Sequence, residues 1–167
     1  MAALAVGWAV SGVPADRWGI LRQTAILVAI GMAPDLDLLI GRHSMETHSL
    51  GAAIIVASVA AWQRWPLASS RLTIWVVVAL AWMSHPLLDA LGSDTSVPIG
   101  VMAFWPLSDT HVQTGWEVFG PISRRYWRDD FWSINLRSVS TEVIILTPLL
   151  CATLWIATRR RDHAGSP

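Results

Sequence analysis

The sequence predicts an all-α fold: a polytopic membrane bundle of about four to five membrane helices with one interfacial or re-entrant segment. Three observations lead there. Of 167 residues, 53% are hydrophobic and 14% charged, whereas a soluble domain carries about 25% charged residues. Several apolar runs approach the ~20 residues needed to cross a ~30 Å hydrocarbon core. Eleven tryptophans accompany a single tyrosine. Trp18, Trp62, Trp65, Trp105, Trp116, Trp127, Trp132 and Trp155 lie near the ends of those runs, as an interfacial aromatic belt requires. This composition excludes a water-soluble enzyme. A net charge of zero leaves no electrostatic footprint for nucleic acid. The lone Cys151 sits in an apolar run and reads as a small core hydrophobe.

In chain order, Met1 to Val10 is a short apolar segment. It lacks a basic start, so it reads as helix rather than as a cleavable leader. A turn follows over Ser11 to Trp18. Gly19 to Met32 is apolar apart from Arg22, Gln23 and Thr24. Pro34 ends this helix, because proline disfavours helical geometry in the residue before it. Asp35 to Thr47 is a polar connection. Ser49 to Trp62 is the next apolar run, and its small residues allow close helix packing. Leu72 to Met83 continues into Ser84-His85-Pro86, where a kink or restart is expected. Ser93 to Arg137 is the mixed, proline-containing segment read as interfacial or re-entrant. Val139 to Thr158 is a clean span, stopped by Arg159-Arg160-Arg161. Residues 1–158 thus read as one membrane-embedded domain and 159–167 as a polar cytoplasmic tail.

Arginine placement orients the bundle. Arg17 and Arg22, Arg64 and Arg71, and Arg159 to Arg161 occupy alternate connections or ends. The positive-inside rule puts them in the cytoplasm. The expected location is therefore the inner (plasma) membrane, multi-pass. Asp35, Asp37, His43, His48, His85 and Asp89 then share the outer face.

Those six residues carry the chemistry. His85 and Asp89 are spaced i, i+4, which puts both on one helix face. Imidazole and carboxylate suit a divalent metal, zinc first, with manganese or iron as alternatives. Taken singly, each pair reads as a helix-end hydrogen bond or a solvated turn. Together, ionisable groups beside a membrane core are costly and point to a site. A bound metal would acidify a water. Asp35 or Asp37 could then serve as general base or as the group that orients a ligating histidine; which of them touches the metal stays open.

Four ordered motifs over about residues 1–125 resemble the YdjM-like membrane-bound metal-dependent hydrolases. They are Pro34-Asp35-Leu36-Asp37, then His43 with Thr47-His48-Ser49, then His85 with Leu88-Asp89, then Gly100 with Trp105-Pro106. That family is more remotely similar to zinc-dependent phospholipase C and single-strand nucleases. The resemblance implies metal-dependent hydrolysis of phosphoester bonds, with membrane lipid as the surroundings and a lipid-derived phosphoester as substrate. Substrate-side candidates are Arg42, Asp94 and Trp105. Ser44 and Met45 stand where the family has arginine and glycine, so Arg42 is the nearest replacement for a phosphate-contacting arginine. Leu107 replaces a phenylalanine. The family also carries a histidine just before a segment like Ala2 to Trp8; this sequence starts at Met1 without it, so either the true start lies upstream or this member lacks that ligand, and a second metal held partly through it stays open. Two rival readings are a non-catalytic membrane protein with a structural metal site or partner-binding role, and a small proton or metal transporter. The clustering at one face counts against the transporter.

Overall fold

The computed structural model describes residues 1–41, 43–94, 97–123 and 125–164, with side chains as far as Arg160. Among the described residues, five α-helices make up the fold: α1 (Ala2–Ser11), α2 (Arg17–Met32), α3 (Leu50–Trp62), α4 (Arg71–Leu91) and α5 (Phe131–Ala164). Two 3₁₀ helices, Ala33–Ile40 and Glu46–His48, bridge α2 to α3. Among the described residues there are no strands beyond two isolated bridges, Gly92 with Phe119 and Val101 with Val112. The all-α expectation is met. Three segments, Arg17–Ile40, Arg71–Leu91 and Phe131–Arg160, are long and apolar enough to cross a membrane. At 1.5 Å per residue, α1 and α3 cover only about 15–20 Å each.

Each helix begins where its sequence allows. The Asp16 side chain accepts from the Gly19 amide at 2.8 Å and caps α2, meeting one of the donors a helix start leaves open. Ser49 does the same for α3 through the Ala52 amide at 3.1 Å. Pro34 falls in the first turn of the 3₁₀ helix that replaces α2. Pro86 does not break α4, which runs through it to Leu91. α5 starts at Phe131, so the last residues of the segment read as interfacial are helical.

α4 is the hub and packs against α1, α2 and α3, while α5 lies along α1. Its contact with α3 is a seam of small residues: Ala53, Ala57 and Ala60 are fully buried with Val77, Val78 and Ala81. Lipid tails are as apolar as these side chains, so the seam is held by close packing rather than by a hydrophobic driving force. Polar ties are few. Buried Gln23 donates to Ser11 Oγ at 2.9 Å, and Trp75 Nε1 donates to Ser58 Oγ at 3.1 Å.

The helices alternate in direction, so like ends gather. Arg17, Arg22, Arg64 and Arg71 lie at the start of α2, the end of α3 and the start of α4. Arg160 joins them, its Nη1 donating to the Ala9 carbonyl near the end of α1 at 3.4 Å. The opposite end holds the end of α2, the start of α3 and the end of α4. It also holds the start of α1, because a Cβ built on Gly31 would lie 2.8 Å from that of Ala3.

The loop between α4 and α5 folds over that opposite end. The first amides of α3 are satisfied by it: Leu50 donates to the Ala103 carbonyl at 2.9 Å and Gly51 to the Trp105 carbonyl at 3.1 Å. A Cβ on Gly51 would lie 2.5 Å from that Trp105 oxygen. Backbone cannot yield as a side-chain tip does, so Gly51→Ala is expected to push the loop off α3 and to cost about 1–3 kcal/mol. A lowered thermal midpoint in detergent, together with faster amide exchange at Leu50, is the readout.

Candidate metal centre

The 3₁₀ helices exist to turn the chain across the end of the bundle. Ala33–Ile40 carries Asp35 and Asp37 over the end of α2, and Glu46–His48 delivers His48 beneath them. α4 supplies His85 and Asp89 one turn apart. The cluster closes over 54 residues of sequence. His85 Nε2 lies 3.4 Å from Asp35 Oδ1 and 3.3 Å from Asp89 Oδ2. His48 Nε2 lies 3.7 Å from the same Asp35 oxygen and 3.3 Å from the same Asp89 oxygen. His43 Nδ1 stands 3.7 Å from both Asp35 Oδ1 and Asp37 Oδ1.

The two histidines of the inner set are each fixed by their other nitrogen. His85 Nδ1 is 2.7 Å from the Gly31 carbonyl and donates to it. In the neutral ring, that donation leaves the Nε2 lone pair facing the carboxylates, where an ion would sit. His48 Nδ1 is 3.2 Å from Asp37 Oδ2, which also accepts from Thr47 Oγ1 at 2.9 Å. The side chain of Asp37 is 3% exposed and that of His48 fully buried, while the side chain of Asp35 is 44% exposed. The two carboxylates of the Asp-x-Asp motif thus differ in position. Asp35 faces the centre with the two Nε2 atoms, and Asp37 stands behind His48.

Whether these residues fit a metal can be tested on their buried atoms. His48 Nε2, His85 Nε2, Asp89 Oδ2 and Asp37 Oδ1 are buried with no hydrogen-bond partner. Buried polar atoms are nearly always satisfied, and here three orphans converge on one point beside Asp35. Two overlapping groups, Asp35–Asp37–His43–His48 and His48–His85–Asp89, each bring their ligand atoms within 4.8 Å of one another. The donor set is the imidazole–carboxylate mixture that divalent transition metals take.

Part of the cluster borders a cavity of about 370 Å³. Asp35, His43 and Asp89 line it, as do Asp94 and Ser93 from the loop and Leu38, Leu88 and Ile122 as apolar walls. Of the substrate-side candidates, Asp94 is on this lining, where its Oδ2 accepts from the Gly100 amide at 3.0 Å. Trp105 is not on it; its carbonyl caps α3 instead. Arg42 lies outside the described residues. The sequence reading passed over two lining residues, Ser138 and Glu142 of α5. The available signal was an acid inside an otherwise apolar span, which is costly there without a role.

Burial opposes protonation of His48, but the carboxylates of Asp35 and Asp89 outweigh it and hold its pKa above the ordinary imidazole value. A metal takes only the neutral ring, so loading must displace that proton. Zinc affinity is expected to rise with pH through the neutral range, by about tenfold per pH unit for one proton displaced. It levels off once the metal-free ring is neutral. Zinc titrations in detergent at a series of pH values follow this directly; a flat profile would remove His48 from the ligand set.

The fold and the cluster together define a multi-helix membrane protein with a candidate metal centre at one end of its bundle. Comparison with protein families names the particular kind: the chain belongs to the YdjM inner membrane protein family, whose model matches residues 1–164. No curated protein and no solved structure matches it.

Proposed function

We propose that this protein is an integral membrane, metal-dependent hydrolase of phosphoester bonds, acting on a lipid-derived substrate. The observation that carries this reading is the convergence of His48 Nε2, His85 Nε2 and Asp89 Oδ2, buried and without a hydrogen-bond partner, on one point behind Asp35 and Asp89, which line a cavity. Asp35, His48, His85 and Asp89 hold the ion, zinc by preference. His43 and Asp37 complete the second, overlapping group of donors. An ion bound there supplies polarisation of a phosphoryl oxygen and acidification of a water.

The chain's own residues do the rest. Gly31 holds the His85 ring, and Asp37 holds His48, so neither histidine has to reorient when the site loads. Asp35, the more exposed carboxylate and a lining residue, presents its oxygens to the cavity, where they would accept a hydrogen bond from a water and orient it. Leu38, Leu88 and Ile122 give the cavity an apolar side suited to a substrate with a lipid portion. With the arginine-rich end in the cytoplasm, the site lies on the outer face of the membrane. A reporter fused after Pro167 that is active only in the cytoplasm supports that orientation.

Purified protein in mild detergent tests the activity. Turnover of aryl phosphomonoesters and phosphodiesters, abolished by a chelator and restored by zinc, supports the hydrolase. Stoichiometric metal with no hydrolysis of any phosphoester would instead favour a structural metal site.

A further inference from the structure

Glu142 is the feature that the proposed chemistry leaves unused. It lies inside the membrane-spanning part of α5 and lines the same cavity as Asp35, His43 and Asp89. It makes no hydrogen bond or ion pair with any described residue. It belongs to neither group of metal donors. A carboxylate in such surroundings is expensive unless a partner compensates it. No arginine among the described residues lines the cavity, and the chain contains no lysine. Among the described lining residues, then, neither lysine nor arginine faces Glu142.

The wall that carries Glu142 is built rather than incidental. Asn135 brackets the backbone of Ser123, donating to its carbonyl at 3.0 Å and accepting from its amide at 2.8 Å. Ser138 donates to the Pro121 carbonyl at 2.7 Å. Gly120 packs so closely on Ser138 that a Cβ there would fall 2.6 Å from its Oγ. Asn135, Ser138 and Glu142 follow one another along one face of α5 at helical spacing. Two of them clamp the loop, and the third is left open to the cavity.

We propose that Glu142 is a specificity-determining residue that binds a primary ammonium group on the substrate, which makes the substrate an amino-alcohol phosphoester. This rests on the phosphoester reading above. The phosphoryl group goes to the metal donors of α2 to α4, and the ammonium group to the α5 wall. A primary ammonium brings three donors for oxygen acceptors, and the Glu142 carboxylate and the lone pairs of Ser138 Oγ supply them. A quaternary ammonium is held by an aromatic cage, and the rings on the described lining, Phe119 and the His43 imidazole, do not make one. The low dielectric beside a membrane strengthens the charge pair.

Zinc-loaded protein in detergent, titrated by calorimetry with phosphoethanolamine, ethyl phosphate and phosphocholine, tests this without requiring turnover. Phosphoethanolamine is expected to bind about tenfold more tightly than ethyl phosphate, the gain of one charge-assisted hydrogen bond. Phosphocholine should not share that gain. Glu142→Gln should bring phosphoethanolamine and ethyl phosphate to parity while bound zinc stays stoichiometric. Equal affinities in the wild type, which needs no variant to measure, overturn the proposal. So does a preference that survives Glu142→Gln. Failure of every phosphate ligand to bind the zinc-loaded protein sinks the phosphoester reading itself. Repeating the comparison with short-chain phosphatidylethanolamine and phosphatidylglycerol distinguishes a lipid-borne head group from a free one by which amine ligand binds more tightly.

Discussion

His85→Ala is expected to abolish stoichiometric metal binding, with affinity down by more than the ~10–100-fold that the loss of an outer partner costs. His85 is the residue that ties the two carboxylates together, since its Nε2 lies within 3.4 Å of both Asp35 Oδ1 and Asp89 Oδ2. Its removal deletes one donor and leaves those two carboxylates with one imidazole fewer between them. Like charges left close in a poorly solvated place repel, so the metal-free variant should also be less stable than the metal-free parent. Elemental analysis of protein purified in mild detergent gives the first result, and thermal unfolding with and without zinc gives the second. Full metal occupancy in His85→Ala would mean that the ion sits with Asp35, Asp37, His43 and His48 instead.

Asp37→Asn is expected to weaken zinc binding by about 10–100-fold without supplying or removing a donor at the inner centre. The carboxylate accepts from Thr47 Oγ1 and stands 3.2 Å from His48 Nδ1. An asparagine amide in that place can turn its NH₂ toward the ring, which favours the tautomer with the proton on Nε2. The lone pair would then point away from the metal. Zinc titration gives the size of the effect, and the pH series separates its cause. A variant that acts through the His48 tautomer keeps the slope of affinity against pH, whereas one that removes a ligating charge also lowers the number of ions bound.

Much of this was legible in the sequence. Pro34 marked the end of α2, the i, i+4 pair His85 and Asp89 marked one helix face, and the alternating arginines placed both clusters at one end. What was not legible has physical causes. Asp35 and Asp37 are alike as residues, and only the 3₁₀ path separates the one that faces the centre from the one behind His48. Pro86 suggested a break, but α4 passes through it, as a helix can when its neighbours cover the freed carbonyl. The Trp105 carbonyl serves the first turn of α3 through a hydrogen bond that no side-chain pattern encodes. Glu142 was hidden because a hydrophobic run is recognised by its majority and the single exception is averaged away.

The capping of α3 by the loop carbonyls has an electrostatic corollary. A helix start offers an anion its exposed amides and the positive pole of its dipole, and α3 begins beside the cluster. Here Ala103, Trp105 and the Ser49 hydroxyl already occupy the amides of Leu50, Gly51 and Ala52. That pole is neutralised from within. A phosphate entering the cavity would find no open amides at that helix start, so its retention would fall to the ion and to the side chains of the cluster.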